Sequence, residues 1–144
     1  MTRTVFVLNG PNLNLLGTRE PEIYGAATLA EIEADIRAEA GALNIAADCR
    51  QSNHEGVLID WLHEAHGIGA MGVILNPGGY THTSVALLDA VRAIAPSVVE
   101  VHLSDPATRE KFRHVSYVGE AAAFRIAGKG PAGYLEALRF LAAR

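Results

Sequence analysis

The sequence predicts a single domain of the α/β class, with a parallel sheet that carries helices on both faces. Short apolar runs with strand character alternate along the chain with amphipathic segments of helical periodicity. The connections between these segments are short, which favours βαβ units with right-handed crossovers and therefore parallel strands. A length of 144 residues is close to the commonest size of one domain. We therefore expect one doubly wound domain over residues 1–144.

The first strand and the first helix have clear sequence signals at their ends. Residues 4–8 are apolar or β-branched and stop at an Asn-Gly-Pro turn, as expected where a buried strand gives way to a loop. Thr28, with Glu31 three residues later, has the pattern of a helix N-cap, and apolar residues then recur at helical spacing. This pattern predicts an amphipathic helix from Thr28 to about Gly41.

The same alternation continues through the rest of the chain. Further strands are predicted at residues 44–49, 71–75, 97–103 and 123–127. Further helices are predicted at residues 55–66, 83–94 and 131–142, with Ser52 or Asn53 as the cap of the first of them. Five strands and about four helices are the element count of a flavodoxin-like doubly wound sheet.

Composition excludes several classes of protein. A content of 49% hydrophobic and 19% charged residues excludes a disordered chain. The net charge of −4 argues against a nucleic-acid partner. The single cysteine, Cys49, excludes an intrachain disulfide and a cysteine-based zinc site. No apolar run is long enough for a signal peptide or a membrane span, so we expect a cytoplasmic protein with no membrane partner.

Polar loops follow four of the predicted strands, at the sheet edge where open parallel sheets bind ligands. These loops cover residues 9–25, 50–56 and 76–84 and the segment that begins at Ser104. The first loop is long, and residues 17–25 within it have the character of a lid. The chain has no G-x-G-x-x-G, P-loop or G-x-S-x-G motif, and its HEAH segment lacks the histidine pair of zinc proteases. The lack of these motifs argues against a nucleotide-binding protein and against a serine hydrolase.

Several segments together resemble one enzyme family, type II 3-dehydroquinate dehydratase. They are FVLNGPNLNLLGTREPEIYG, QSNHEGVLIDWLHEAH, VILNPGGYTHTSVALLDA, EVHLSDPATREKFRHVS and GYLEALRFLA, and the resemblance runs from about Val5 to Ala142. It implies a catalytic domain that dehydrates 3-dehydroquinate to 3-dehydroshikimate through an enolate, without metal or organic cofactor. It also implies a homo-oligomer, a dodecamer built as a tetramer of trimers. The same reaction serves the shikimate pathway, which makes aromatic amino acids, and quinate catabolism, so both roles stay open.

The resemblance assigns four catalytic residues. Tyr24 is the base, Arg19 lies beside it on the lid, and Asn12 holds a water near the enolate oxygen. A phenol is almost wholly protonated at neutral pH, so it works as a base only beside a cation. At about 4 Å and an effective dielectric of about 20, that attraction is about 4 kcal/mol, which is sufficient. His102 is associated with proton donation to the leaving hydroxyl, either directly or through Asn12 and water, and Glu100, on the same strand face, could orient or charge it.

The resemblance also assigns substrate-binding residues. The backbone amides of Leu103 and Ser104, with the Ser104 hydroxyl, would hold the substrate carboxylate. The residues that match positions binding the ring hydroxyls are Asn76, His82 and Arg113. Asp89 matches a helix residue that reaches into the site of a neighbouring subunit.

Alternatives to this interpretation come from the residues themselves. Each assigned residue also has a plain structural role, such as a loop tyrosine, a core histidine or a solvated helix carboxylate. A Schiff-base dehydratase would need a buried lysine, and Lys111 and Lys129 both lie in polar or glycine-rich stretches. A binding module with this fold and no chemistry is the other alternative. Asp105 stands where the family usually has Asn, so it either points away from the carboxylate pocket or pairs with Arg109 or Arg113.

Overall fold

The computed structural model describes residues 3–18 and 20–144. The strands of this part of the chain are β1 (Arg3–Asn9), β2 (Ile45–Gln51), β3 (Gly72–Asn76), β4 (Ser97–His102) and β5 (Phe124–Ala127). They form one sheet in the order β2-β1-β3-β4-β5, and every pairing is parallel. This strand order is that of the flavodoxin-like doubly wound fold, so the predicted fold class is confirmed.

The helices match the sequence pattern, with one addition. They are α1 (Pro21–Tyr24), α2 (Leu29–Ala42), α3 (Glu55–Gly67), α4 (Val85–Ala93) and α5 (Ala132–Ala142). The four longer helices and the strands begin and end within two residues of their predicted bounds. The short helix α1 was not predicted and lies inside the segment expected to form a lid. Within the described ranges, no helix combines the length and apolar character needed to cross a bilayer.

The sheet separates two apolar cores, and β1 contributes to both. Val5 and Val7 belong to the core formed with α2 and α5, whereas Phe6 and Leu8 belong to the core formed with α3 and α4. All four side chains are at most 1% exposed. A strand that is buried on both faces needs a continuous apolar run, which is what residues 4–8 supply.

The helix caps confirm one sequence prediction and correct two others. Thr28 and Glu31 form the predicted capping box, in which the Glu31 backbone N–H donates to Thr28 Oγ1 at 3.2 Å. Helix α4 is capped by Ser84, whose Oγ accepts the Leu87 N–H at 2.9 Å, so it starts two residues after the predicted Thr83. Thr83 and Ser84 are adjacent hydroxyl residues that give the same sequence signal, and the hydrogen bond from Leu87 shows that Ser84 is the cap.

The prediction that Ser52 or Asn53 caps α3 is wrong. The N-cap residue is His54, and its side chain makes no capping bond. Ser52 Oγ instead accepts the backbone N–H of His54 at 3.0 Å, and Asn53 Oδ1 accepts that of Asn12 at 3.0 Å. The Asn53 side chain thus links the loop after β2 to the loop after β1. Local sequence does not reveal a contact between two such distant segments.

The carboxyl ends of β1 and β3 approach closely at Gly10. The Gly10 N–H donates to the Asn76 carbonyl at 2.8 Å. A Cβ atom on Gly10 would lie 2.6 Å from the Pro77 carbonyl oxygen and 2.8 Å from its carbon. Those atoms are backbone and cannot turn away, so only glycine fits this position. Gly41, in α2, has nothing within 4 Å of an added Cβ.

We therefore expect Gly10→Ala to lower the free energy of unfolding by about 1–3 kcal/mol, because the added methyl group forces the two strand ends apart. The matched variant Gly41→Ala should raise it by up to about 1 kcal/mol, because alanine is the better helix former. Denaturant unfolding of both variants measures the difference. Equal stability of the two variants would contradict the close approach.

Candidate active site

A cavity of about 320 Å³ opens at the carboxyl ends of β1, β3 and β4. Eight of the residues predicted for the site line it, and they are Asn12, Tyr24, Asn76, His82, His102, Leu103, Ser104 and Arg113. Asp89 lies on the exposed face of α4 and is not among the lining residues. Arg19, the remaining predicted residue, lies outside the described residues.

The sheet topology explains why residues from distant segments meet here. Asn76 is the last residue of β3, and His102 is the last residue of β4. These strands are neighbours and run in the same direction, so their ends lie side by side. Asn12 follows β1 in a left-handed backbone conformation with φ of 69°, which asparagine adopts more readily than most residues.

Tyr24 is held in the cavity wall by an arginine that the sequence analysis did not place in the site. Arg109 Nη1 donates a hydrogen bond to the Tyr24 hydroxyl oxygen at 2.7 Å. The guanidinium carbon lies 5.3 Å from the centre of the tyrosine ring, and Arg109 also lines the cavity. The two residues are 85 positions apart in the chain, so no local pattern could have paired them.

His102 is paired with the buried carboxylate of Glu100. The two residues are two positions apart on β4 and share a strand face, as predicted, and His102 Nε2 hydrogen-bonds to Glu100 Oε2. Glu100 is 0% exposed. The same oxygen accepts a hydrogen bond from Ser116 Oγ at 2.7 Å and lies 3.4 Å from Arg125 Nε.

These partners decide the charge of Glu100. Burial by itself raises the pKa of the Glu100 carboxyl, but the hydrogen bond and charge of His102 lower it. The Ser116 hydroxyl and the Arg125 guanidinium lower it further, and the net result is a pKa below the ordinary value. Glu100 is therefore a carboxylate at neutral pH and can stabilise a positive imidazolium on His102.

The His82 ring is kept neutral by its surroundings. Burial lowers the pKa of His82, and the charges of Arg113, His102 and Arg109 lower it further. Its ring also packs edge-to-face on Phe112, with centres 5.8 Å apart. A neutral imidazole has one donor and one acceptor nitrogen, which suits a hydroxyl partner.

Asn76 is oriented by a buried tyrosine on α5. Asn76 Nδ2 donates to the Tyr134 hydroxyl at 3.0 Å, and that hydroxyl donates to Asn9 Oδ1 at 2.5 Å. Asn76 Oδ1 accepts the Gly78 N–H at 3.2 Å. Burial raises the pKa of Tyr134, so it stays a neutral phenol within this network. The Asn76 amide is thus fixed at both ends while its residue lines the cavity.

The loop after β4 is fixed by hydrogen bonds to the segment after β5. The carbonyl oxygens of Leu103 and Ser104 accept the N–H groups of Gly130 and Gly128, at 3.0 and 3.2 Å. Asp105 Oδ1 accepts the Ala107 N–H at 3.0 Å and so caps a single 3-10 turn, Pro106–Thr108.

Asp105 therefore has a local structural role and does not pair with Arg109 or Arg113. The ion-pair partner of Arg109 and Arg113 is instead Glu110, at 3.9 and 3.1 Å. Of the two arrangements considered for Asp105, pairing with Arg109 or Arg113 is the one that the structure does not show.

The side chains needed for Schiff-base chemistry do not reach the cavity. Lys129 Nζ is paired with Glu136 Oε2 at 2.7 Å, Lys111 is exposed, and neither residue lines the cavity. Within residues 3–18 and 20–144, no group of three or more His, Cys, Asp or Glu side chains is arranged to hold a metal ion.

Comparisons with known proteins agree on one family. The model of the family described as dehydroquinase class II matches residues 3–142. A 3-dehydroquinate dehydratase of Chelativorans sp. (strain BNC1) is 59% identical over 145 residues, which cover 100% of this chain and 99% of the relative. A 3-dehydroquinate dehydratase of Rhodopseudomonas palustris (strain BisA53) is 54% identical over 144 residues, which cover 100% and 95% of the two chains.

The same result comes from solved structures. The crystal structure of type II dehydroquinase from Propionibacterium acnes superposes with a TM-score of 0.96 at 38% identity. The match covers 100% of this chain and 99% of that one. Since the family model spans nearly the whole chain and the relatives match over their full length, this chain belongs to the class II dehydroquinase family of enzymes.

Proposed function

We propose that this chain dehydrates 3-dehydroquinate to 3-dehydroshikimate through an enolate, with Tyr24 as the base and His102 as the acid. The observation that carries the proposal is the contact between Arg109 and Tyr24, in the same cavity as the His102–Glu100 pair. One cavity thus holds a phenol activated by a cation and an imidazole supported by a carboxylate. Those are the two kinds of group that an elimination of water requires.

The first step removes the proton beside the ketone. The C–H bond breaks, the proton goes to the Tyr24 phenolate oxygen, and the electron pair forms the enolate. The Arg109 guanidinium donates to that phenol oxygen and so favours the phenolate before the step. The family resemblance adds Arg19 as a second cation and Asn12 as the holder of a water that donates to the enolate oxygen.

The second step expels the hydroxyl group. The enolate collapses, the C–O bond breaks, and His102 gives a proton to the departing oxygen, so that water leaves. The Glu100 carboxylate supports this step because it favours the imidazolium and fixes the orientation of the ring. No step in this sequence requires a metal or an organic cofactor.

The remaining cavity residues fit the functional groups of the substrate. We assign the substrate carboxylate to the backbone amides of Leu103 and Ser104 and to the Ser104 hydroxyl, in the loop fixed by Gly128 and Gly130. The residues assigned to the ring hydroxyls are Asn76, His82 and Arg113. The neutral His82 and the fixed amide of Asn76 are suited to that task.

The segment 17–25 acts, in this proposal, as a lid of the single catalytic domain 1–144. Gly17 and Gly25 have positive φ values of 92° and 84°, and helix α1, with Tyr24, lies between them. A lid that carries the base can complete the site when the substrate binds and can exclude water from it. The reaction belongs to the shikimate pathway and would serve quinate catabolism equally, and we place the enzyme in the cytoplasm.

We also propose a homo-oligomer, a dodecamer built as a tetramer of trimers, in which Asp89 reaches the site of a neighbouring subunit. Asp89 is exposed on α4, and Val85, one turn earlier on that helix, is 51% exposed. Two large apolar side chains near the cavity residues in sequence, Phe112 and Val115, are 60% and 52% exposed. Exposed apolar groups of this size favour burial against another subunit.

The proposed base predicts that Tyr24→Phe nearly abolishes turnover while the fold and much of the affinity for 3-dehydroquinate are kept. The ultraviolet absorbance of the conjugated product measures turnover directly. Tyr117→Phe is the matched control, since Tyr117 does not line the cavity, and it should keep the parent rate. Arg109→Met should lose about 10²-fold or more, by the usual size of acid–base effects, and this loss should shrink as pH rises.

A folded Tyr24→Phe variant with near-parental turnover would refute the assignment. A lysine intermediate trapped by borohydride in the presence of substrate would favour the Schiff-base alternative. A folded parent protein that binds 3-dehydroquinate without forming product would favour the binding module.

The position of Asp105 beside the proposed carboxylate pocket predicts an electrostatic effect on binding. Asp105→Asn removes one negative charge and keeps an effective capping residue, so KM should fall modestly with kcat unchanged. The gain should shrink as salt is added. Steady-state kinetics at two ionic strengths tests this, and an increase of KM would count against a carboxylate bound at Leu103 and Ser104.

The proposed assembly predicts that light scattering detects an oligomer well above the 15.3 kDa of one chain. Val85→Glu should dissociate it, because a charge would be buried in the interface, and Asp89→Ala should lower activity without dissociation. A parent protein that is fully active as a monomer would show that the site needs no neighbouring subunit.

A further inference from the structure

We infer that Arg125, a residue of β5 outside the cavity, is a positioning residue that acts through Glu100 to let His102 release its proton. The inference rests on the proposed function of His102 as the acid. No sequence motif singles out Arg125, and it is not among the residues that line the cavity. It lies behind the site, on the edge strand of the sheet.

The strand register places Arg125 beside Glu100. β4 and β5 pair so that Glu100 is opposite Arg125, and Arg125 Nε lies 3.4 Å from Glu100 Oε2. The Arg125 side chain is 37% exposed, whereas that of Glu100 is 0% exposed. Arg125 thus brings a positive charge from the protein surface to a fully buried carboxylate.

A single oxygen atom of the Glu100 carboxylate contacts three side chains. Glu100 Oε2 hydrogen-bonds to His102 and Ser116 and lies next to Arg125, whereas Oε1 has no hydrogen-bond partner within the described structure. The positive charges of Arg125 and of a protonated His102 therefore share a single oxygen. Each is attracted to the carboxylate, and each repels the other.

This arrangement matters when His102 gives up its proton. A buried carboxylate that loses its only cation becomes an unpaired charge, which is costly, and that cost would oppose the transfer. A guanidinium does not deprotonate in proteins, so Arg125 stays positive throughout the cycle. Glu100 thus keeps a cation after the transfer, and the proton on His102 is held less tightly than it would be by Glu100 alone.

Other charged or titratable groups also face His102 across the cavity. They are His82 from the turn after β3, Tyr24 from α1, and Arg109 and Arg113 from the segment after β4, with Glu110 paired to Arg113 outside the cavity lining. These groups remain in place in variants of Arg125, so a comparison of such variants isolates the effect of the one charge.

The direct test is an NMR titration of the His102 ring in Arg125→Gln, with the signal assigned by its absence from His102→Gln. The loss of one positive charge beside Glu100 should raise the titration midpoint of His102 by a shift that NMR resolves, and the partial exposure of Arg125 limits its size. Arg125→Lys keeps the charge and should restore the parent midpoint.

The matched control is Arg139→Gln, which removes the same charge from another arginine. Arg139 is an exposed residue of α5, and it is paired with Glu39 of α2. It should leave the His102 midpoint unchanged. Kinetics supply a second readout. In Arg125→Gln, kcat at neutral pH should fall several-fold with KM unchanged, and the alkaline limb of the pH profile should move up with the NMR midpoint.

An unchanged His102 midpoint in a folded Arg125→Gln variant, judged by its circular dichroism and melting temperature, would overturn the inference. An equal shift in Arg139→Gln would overturn it as well, because the effect would then come from net charge alone. Failure of the proposed function is recognised separately. If His102→Gln keeps full activity, His102 is not the acid, while the NMR shift still reports the coupling between Arg125 and His102.

Discussion

The buried carboxylate of Glu100 joins three segments of the chain at this end of the molecule. A fully buried negative charge is stable only when donors surround it, and its donors come from β4, from β5 and from the segment between them. Gly119 packs against it, since an added Cβ there would lie 3.0 Å from Glu100 Oε1 and 2.9 Å from Ser116 Oγ. The segment from β4 to β5 therefore packs closely around the Glu100 carboxylate.

The side chains of the cavity are positioned by the Glu100 carboxylate and by the parallel sheet. Neighbouring parallel strands end at the same edge, so Asn76 and His102 lie side by side without any long loop to carry them. The segment after β1 contributes Tyr24, whose hydroxyl accepts a hydrogen bond from Arg109. Strand β4 thus holds His102, and a short helix between two positive-φ glycines holds Tyr24.

Sequence reasoning succeeded where the cause is local. The capping box of Thr28 and Glu31 and the strand face shared by Glu100 and His102 depend only on near neighbours in the chain. Sequence patterns did not predict the contacts that join distant segments. The hydrogen bond from Arg109 to Tyr24 is one example, because it forms only when the whole sheet has folded. The family resemblance identified most of the cavity residues, since a matched motif carries tertiary information that periodicity lacks.

The hydrogen bonds from Tyr134 to Asn9 and Asn76 link the last helix to the first and third strands. Tyr134 lies 125 positions after Asn9, so the amide that faces the cavity acquires its final orientation only after α5 has docked. During synthesis, the five strands can pair before that helix exists, but the buried side-chain amides of Asn9 and Asn76 then still lack their common partner. The final orientation of the Asn76 amide is therefore a property of the completed fold, and a protein truncated before α5 would leave both amides without this partner and would be more exposed to proteolysis and aggregation.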